Sequence, residues 1–204
     1  KIFLLLNYSR SYGFIIYSSK LTPYDSQANR IINQFVIMYI IAFILLIMWS
    51  LLGSFDLTYY HDKKYSLHLH SESIREHLYH TVRSICYPII VFSLFYKNFI
   101  GIIFWIGVSA IIIDTIFFIL DAFEEKNSRN KWGGLSHGES ITHLFSNTVH
   151  YCAITTILLS KIYLSPSTDY PQYLSIIAII FATGGTLTAV QHILRLYKFK
   201  TNPL

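Results

Sequence analysis

The chain has 204 residues, of which 53% are hydrophobic and only 13% are charged, and its mean hydropathy is +0.44. This composition is typical of integral membrane proteins and excludes an ordinary soluble domain. The formal net charge of +5 requires no nucleic acid partner, because basic loops that face anionic membrane lipid account for it.

The N-terminal 30 residues contain two short apolar stretches, 3–6 and 14–17, separated by polar residues that include Arg10. Neither stretch is long enough to cross a bilayer, and the segment lacks the pattern of a cleavable signal peptide. We therefore predict an interfacial N-terminal segment over residues 1–30 and a transmembrane helical bundle over residues 31–204.

Five hydrophobic segments follow in chain order, and they predict an all-α, polytopic integral membrane bundle of about five transmembrane helices. The expected spans are residues 33–54, 77–97, 99–122, 140–163 and 172–196. The second span depends on where its helix starts, because the apolar run 85–96 is too short unless the helix begins near Glu76. The alternative is a topology of four spans, in which the segment that contains residues 85–96 is re-entrant and does not cross the membrane.

Lysine and arginine are distributed unevenly between the two sides of this predicted topology. Ten of the 16 fall on the side that holds the loops after the first and third helices and the C-terminus. The positive-inside rule therefore places the C-terminus and these loops in the cytoplasm.

Eight of the nine histidines lie in two short stretches, 61–80 and 137–150, each of which leads into a predicted span. Ionisable side chains in or near membrane helices usually have a partner or a function. The connectivity brings the start of the second helix, the end of the third and the start of the fourth to one face of the membrane. A shared polar site at that face is the resulting hypothesis.

Helical spacing of 100° per residue arranges acids and histidines in stripes. The stripes are Glu76, His80 and Arg83 on the second helix, Asp114, Asp121 and Glu125 on the third, and Glu139, His143 and His150 on the fourth. We predict these metal ligands: Glu76, His77, His80, Asp121, Glu125, Glu139 and His143. We predict catalytic roles for Arg83, Asp114 and His150. Asp114 lies roughly 10 Å deeper than Asp121, where a lone carboxylate requires a partner or a purpose.

Inward-facing carboxylates and imidazoles resemble the sites of ferritin-like di-iron and di-manganese bundles. The resemblance implies a dinuclear centre that holds a divalent ion such as Fe or Mn, and Zn also accepts these ligands. The chain departs from the family pattern because its Glu76/His80 and Glu139/His143 pairs are Glu-x-x-x-His rather than Glu-x-x-His.

An internal echo relates the two histidine-rich stretches. His70-Ser71-Glu72-Ser73-Ile74 is matched by His137-Gly138-Glu139-Ser140-Ile141. The echo predicts that helices two–three and four–five are repeated hairpins with a site at the repeat interface. It also makes Glu72 a rival of Glu76 as a ligand.

Four functions compete at this stage. The first is a membrane metalloprotein, an oxidoreductase or hydrolase that acts on a lipid or quinone at the cytoplasmic interface. The second is a haem b electron-transfer subunit, with axial pairs of His77 or His80 with His143, or of His150 with His192. The third is a proton or ion pathway, and the fourth is a structural subunit that assembles with other membrane subunits.

Simpler explanations exist for part of the pattern. His61, His68 and His70 lie in a predicted loop, which favours surface positions. The charged run 121–131, which includes Arg129, has the composition of a solvated helix end with i,i+4 pairs.

Overall fold

The computed structural model describes residues 23–163 and 171–201. Five long α-helices occupy these residues: α1 (Pro23–Phe55), α2 (Ile74–Ile90), α3 (Ile102–Ser128), α4 (His137–Tyr163) and α5 (Gln172–Thr201). No strand occurs in the described part of the chain, and the all-α prediction is confirmed. Most of the predicted interfacial segment, residues 1–30, lies outside the described residues.

Four segments are long and apolar enough to cross a membrane: Val36–Lys64, Ser71–Tyr96, Ile102–Ser128 and Gln172–Phe199. The protein is therefore a membrane-spanning helical protein. α4 is long enough, with 27 residues, but it is more polar and does not belong to this set. α2 begins at Ile74, upstream of its apolar run, as the five-span topology requires.

Residues 35–204 form one compact unit, separate from residues 1–34, and the site described below lies wholly within it. Within this unit, α2 packs along both α3 and α5. The α2–α3 hairpin is thus present, but the main neighbour of α5 is α2 rather than α4. The repeated-hairpin architecture stays a prediction.

Two π-helical segments extend the ends of α1 and α2. The first covers Asp56–Lys64, and the second covers Val91–Tyr96 and follows Pro88 within α2. A π-helix is bonded from residue i to residue i+5, so side chains five apart lie on nearly the same face. Asp56 and His61 are therefore on one face, although α-helical spacing would separate them by about 140°.

The apolar core lies at the end of the bundle away from the histidines. It combines the middle of α1, the end of α2 with its π-helical extension, the start of α3, the second half of α4 and the start of α5. Its fully enclosed members include Ala42, Leu46, Ile90, Leu94, Phe95, Ala153, Ile157 and Ala178. Because consecutive helices run in alternating directions, the opposite ends of the same five helices meet at the polar end.

Candidate metal centre

A cavity of about 160 Å³ lies at the polar end, among all five helices. Its ionisable lining residues are Asp56, His61, His80, Arg83, Asp114, Asp121, Glu125, His143 and His192. Titratable groups from the π-helical extension of α1 and from α2, α3, α4 and α5 thus meet in one cavity. The connectivity predicts that these helix ends lie at a similar depth, and in the structure they meet at this cavity.

His61 lies at the centre of two groups that could hold a metal ion. Its Nδ1 is 3.9 Å from Glu76 Oε1, and His80 Nε2 is 3.7 Å from the same oxygen. The donor atoms of His61, Glu76 and His80 all lie within 4.8 Å of one another. A zinc ion about 2.0–2.2 Å from each donor needs only a small contraction of this group.

The second group contains Asp56, His61 and His143, again with donor atoms within 4.8 Å of one another. His61 Nε2 is 3.5 Å from Asp56 Oδ2, and His143 Nε2 is 3.0 Å from Asp56 Oδ1. The other nitrogen of His143 is 2.8 Å from Glu125 Oε1. The two nitrogens of the His61 ring therefore face two different carboxylates.

Several donor atoms in these groups are buried and have no hydrogen-bond partner among the described residues. They are His61 Nε2, Glu76 Oε1 and His80 Nε2. A buried polar atom without a partner costs free energy, so such atoms are rare in folded proteins. Three of them within one donor group fit a site that is completed by an ion.

Arg83 lines the inner side of the cavity and holds the two aspartates of α3. Its Nε donates to Asp114 Oδ1 at 3.4 Å and its Nη1 to Asp121 Oδ2 at 3.2 Å. Its Nη2 donates to the Asn147 side chain at 3.2 Å. Asp114 is thus paired rather than isolated, and it also lies 3.7 Å from His150 Nε2.

Arg129 forms a buried ion-pair network behind the cavity wall. Its Nη1 is 2.6 Å from Glu76 Oε2, which also accepts a hydrogen bond from Ser128, and its Nη2 is 2.6 Å from Glu139 Oε1. The Arg129 side chain is fully buried, so the simpler explanation of a solvated helix end does not hold for Arg129. Burial disfavours the charged guanidinium, but the Glu76 and Glu139 carboxylates outweigh it and raise the pKa of Arg129 above its ordinary value.

The structure separates the predicted ligands that lie at the candidate metal site from those that do not. Glu76, His80 and His143 belong to the candidate metal groups, and Asp121 and Glu125 line the same cavity. Glu139 is engaged by Arg129 and does not line the cavity. His77 points toward α5, where its Nε2 lies 3.3 Å from the carbonyl oxygen of His192.

The structure also shows where the predicted catalytic residues lie, and where Glu72, the alternative to Glu76 as a ligand, lies. Arg83 and Asp114 line the cavity, whereas His150 lies behind it, stacked on Trp49 with ring centroids 3.8 Å apart. Glu72 is exposed and belongs to neither candidate group of described residues. Of the two rivals, the structure brings Glu76 into a donor group with His61 and His80, which line the cavity.

Sequence reasoning missed two donors, Asp56 and His61. His61 was expected on the surface, but only 6% of it is exposed, so that expectation is wrong. The helix continues past Phe55 as a π-helix, which carries His61 inward beside Asp56. The five-residue spacing of an acid and a histidine at a helix end was the available signal.

The haem alternative fits this geometry poorly. His150, a member of one of the proposed axial pairs, is stacked on Trp49 with ring centroids 3.8 Å apart. His143 is already held between Asp56 and Glu125. A cavity of about 160 Å³ is also smaller than the roughly 300–1,000 Å³ that cofactor pockets usually have.

Comparison with known proteins identifies no relative: no family model, no curated protein and no solved structure matches the chain.

Proposed function

We propose that this chain is a membrane metalloprotein whose divalent ions bind in the polar cavity, through Asp56, His61, Glu76, His80 and His143. The single observation that carries the proposal is the position of His61. Its two ring nitrogens face the carboxylates of two separate donor groups, and two of the facing atoms, His61 Nε2 and Glu76 Oε1, are buried without a hydrogen-bond partner among the residues that the structure describes. This arrangement is suited to two neighbouring ions with one imidazole between them.

The charge of the cluster supports the same proposal. The cavity and the adjoining Arg129 network contain six carboxylates and two guanidinium groups, an excess of four negative charges before any histidine is protonated. The carboxylates are Asp56, Glu76, Asp114, Asp121, Glu125 and Glu139. Two divalent cations offset this excess, and buried charge that is not offset is costly.

The donor set suits several metals and determines what chemistry they supply. Carboxylate and imidazole ligands bind Fe, Mn and Zn. Such an ion polarises a bound substrate or activates a water molecule. We propose that the substrate is a lipid or a quinone, because the cavity is formed by the ends of membrane-spanning helices. Iron or manganese would make the protein an oxidoreductase, and zinc would make it a hydrolase.

The test is the metal content of the purified protein in detergent, measured by elemental analysis. His61→Ala should remove most of the metal, since it deprives both donor groups of a ligand, and Asp56→Asn should lower the content by removing one. His68→Ala is the matched control. His68 lies between the π-helical extension of α1 and α2, is 3.5 Å from Asp62, and lies outside the cavity.

Each result has a clear meaning. Stoichiometric metal in the wild type and in His68→Ala, with loss in folded Asp56→Asn and His61→Ala, supports the proposal. Protein that is folded but metal-free after growth and dialysis with Fe, Mn and Zn overturns it, because protonated histidines then balance the carboxylates. An absorption spectrum with a haem Soret band overturns it in favour of the electron-transfer alternative.

A further inference from the structure

A second cavity of about 390 Å³ lies between α1, α2 and α5, on the side of the bundle. Most of its wall is apolar, and residues at its rim face outward, with Leu51 63% and Ile180 61% exposed. Both rim residues lie in segments that are long and apolar enough to span a membrane. The outward face of this cleft is therefore a face that lies against lipid.

The cleft adjoins the polar cavity. The two share six lining residues: Trp49, Gly53, Leu57, Ser84, Tyr87 and Thr188. Tyr87 stands at the junction, where its hydroxyl is 2.6 Å from Ser50 Oγ and its ring packs edge-on against Trp49. An occupant that reaches from the lipid face to the donor groups is apolar along most of its length and polar at its inner end.

Three glycines line the cleft. A Cβ atom at Gly185 would collide with the Tyr87 ring, so glycine is what allows α5 to approach α2 there. Gly184 and Gly53 have no other atom within 4 Å of the Cβ position. Larger side chains at these two positions would therefore fill the space without first displacing a neighbour.

We propose that the cleft is the lateral entrance for the substrate, and that the substrate is a single-chain lipid with a small polar head, such as a fatty acid. This inference rests on the proposed metal site. The hydrocarbon chain lies in the cleft, and the head group reaches the cavity that contains His61 and His80. The head is small because the polar cavity, at about 160 Å³, has less than half the volume of the cleft.

The experiment uses the full chain in detergent micelles and a palmitic acid probe that carries a photoreactive diazirine on its chain. After illumination, mass spectrometry locates the attached probe. We expect labelling of residues 50–57 and 180–188, which border the cleft. Gly184→Leu at the rim and Gly53→Leu at the junction should each lower this labelling about tenfold, because excluding even a few methylene groups costs that much binding.

Thr183→Leu is the matched control, since Thr183 is an exposed neighbour on α5 that does not line the cleft. It should label like the wild type. Metal content is measured on every sample. Gly184→Leu, whose position lines the cleft but not the polar cavity, should leave the metal in place. Labelling that is spread evenly around the bundle, or is unchanged in both glycine variants, overturns the proposal that the cleft is the substrate entrance. Displacement of the probe by an isoprenoid benzoquinone but not by unlabelled palmitic acid overturns the fatty-acid assignment.

The result is separable from the metal proposal. Cleft-specific labelling of a protein that holds no metal would refute the metal site and leave lipid binding standing. Metal-loaded protein without cleft labelling would refute the lipid entrance and leave the metal site standing.

Discussion

Arg129 and Glu139 form an ion pair that is fully buried on both sides, with Nε and Nη2 of the arginine 2.9 and 2.6 Å from the same glutamate oxygen. Although only ten residues apart in sequence, they belong to different elements, because Arg129 follows α3 and Glu139 is in the first turn of α4. The pair therefore fixes the α3–α4 connection against the bundle. It also removes Glu139 from the cavity, where the sequence had predicted a ligand.

Replacing Glu139 should affect stability rather than metal binding. Glu139→Ala removes one of the two carboxylates that pair with the buried Arg129 and leaves Glu76 as the other, and breaking a buried ion pair typically costs about 3–5 kcal/mol. We expect a lower melting temperature in detergent, with unchanged metal per folded molecule. Asp56→Asn is the contrasting variant, with lower metal content and a smaller thermal effect. Loss of metal from folded Glu139→Ala would restore Glu139 as a ligand.

Arg129 should control metal affinity indirectly, through Glu76. Arg129 and Ser128 bind Glu76 Oε2, which leaves Oε1 facing His61 and His80. Groups that orient a ligand in this way commonly contribute about 10–100-fold to metal affinity. A lysine cannot form the same forked contacts to two carboxylates.

Arg129→Lys should therefore weaken metal binding by about that factor, as measured by competition with a chelator. Lys131→Ala, an exposed site two residues away, provides the control. An Arg129→Lys protein with wild-type affinity would show that Glu76 needs no such support.

Arg83 should be required for folding of the inner part of the cavity. It is the guanidinium partner of both Asp114 and Asp121, and its removal leaves two buried carboxylates to be protonated or hydrated. Arg83→Ala should lose about 3–5 kcal/mol of stability, seen as a lower melting temperature. The exposed Arg75→Ala, on the same helix, should melt like the wild type, and equal effects of the two changes would contradict the pairing.

The membrane orientation can be tested with single cysteines in a Cys152→Ser background, in which the remaining Cys86 is buried. Ile100→Cys and Lys131→Cys place exposed thiols in the connections before and after α3. The excess of basic residues predicts that residue 131 is cytoplasmic. A membrane-impermeant maleimide should then label residue 100 on intact cells and residue 131 only after permeabilisation. The reverse pattern would invert the topology.

The sequence by itself determined the class of fold and the end of the bundle that carries the polar groups. Hydropathy marks segments such as Ile102–Ser128 as membrane-spanning because an apolar helix satisfies its own backbone polar groups in lipid. Connectivity then places the ends of alternate helices on the same side. The i,i+4 spacing of Glu76 and His80 was enough to put both on one face of α2.

Only the tertiary structure decided which charged groups meet. His61 entered the cavity because α1 continues as a π-helix, and a calculation at 100° per residue does not foresee that change of period. Arg129 lies in a charged run that resembles a solvated helix end, yet its long side chain reaches two carboxylates on other helices. The pairing of buried charges depends on which helix faces pack together, and that is settled by contacts between segments far apart in sequence rather than by the local pattern of any one helix.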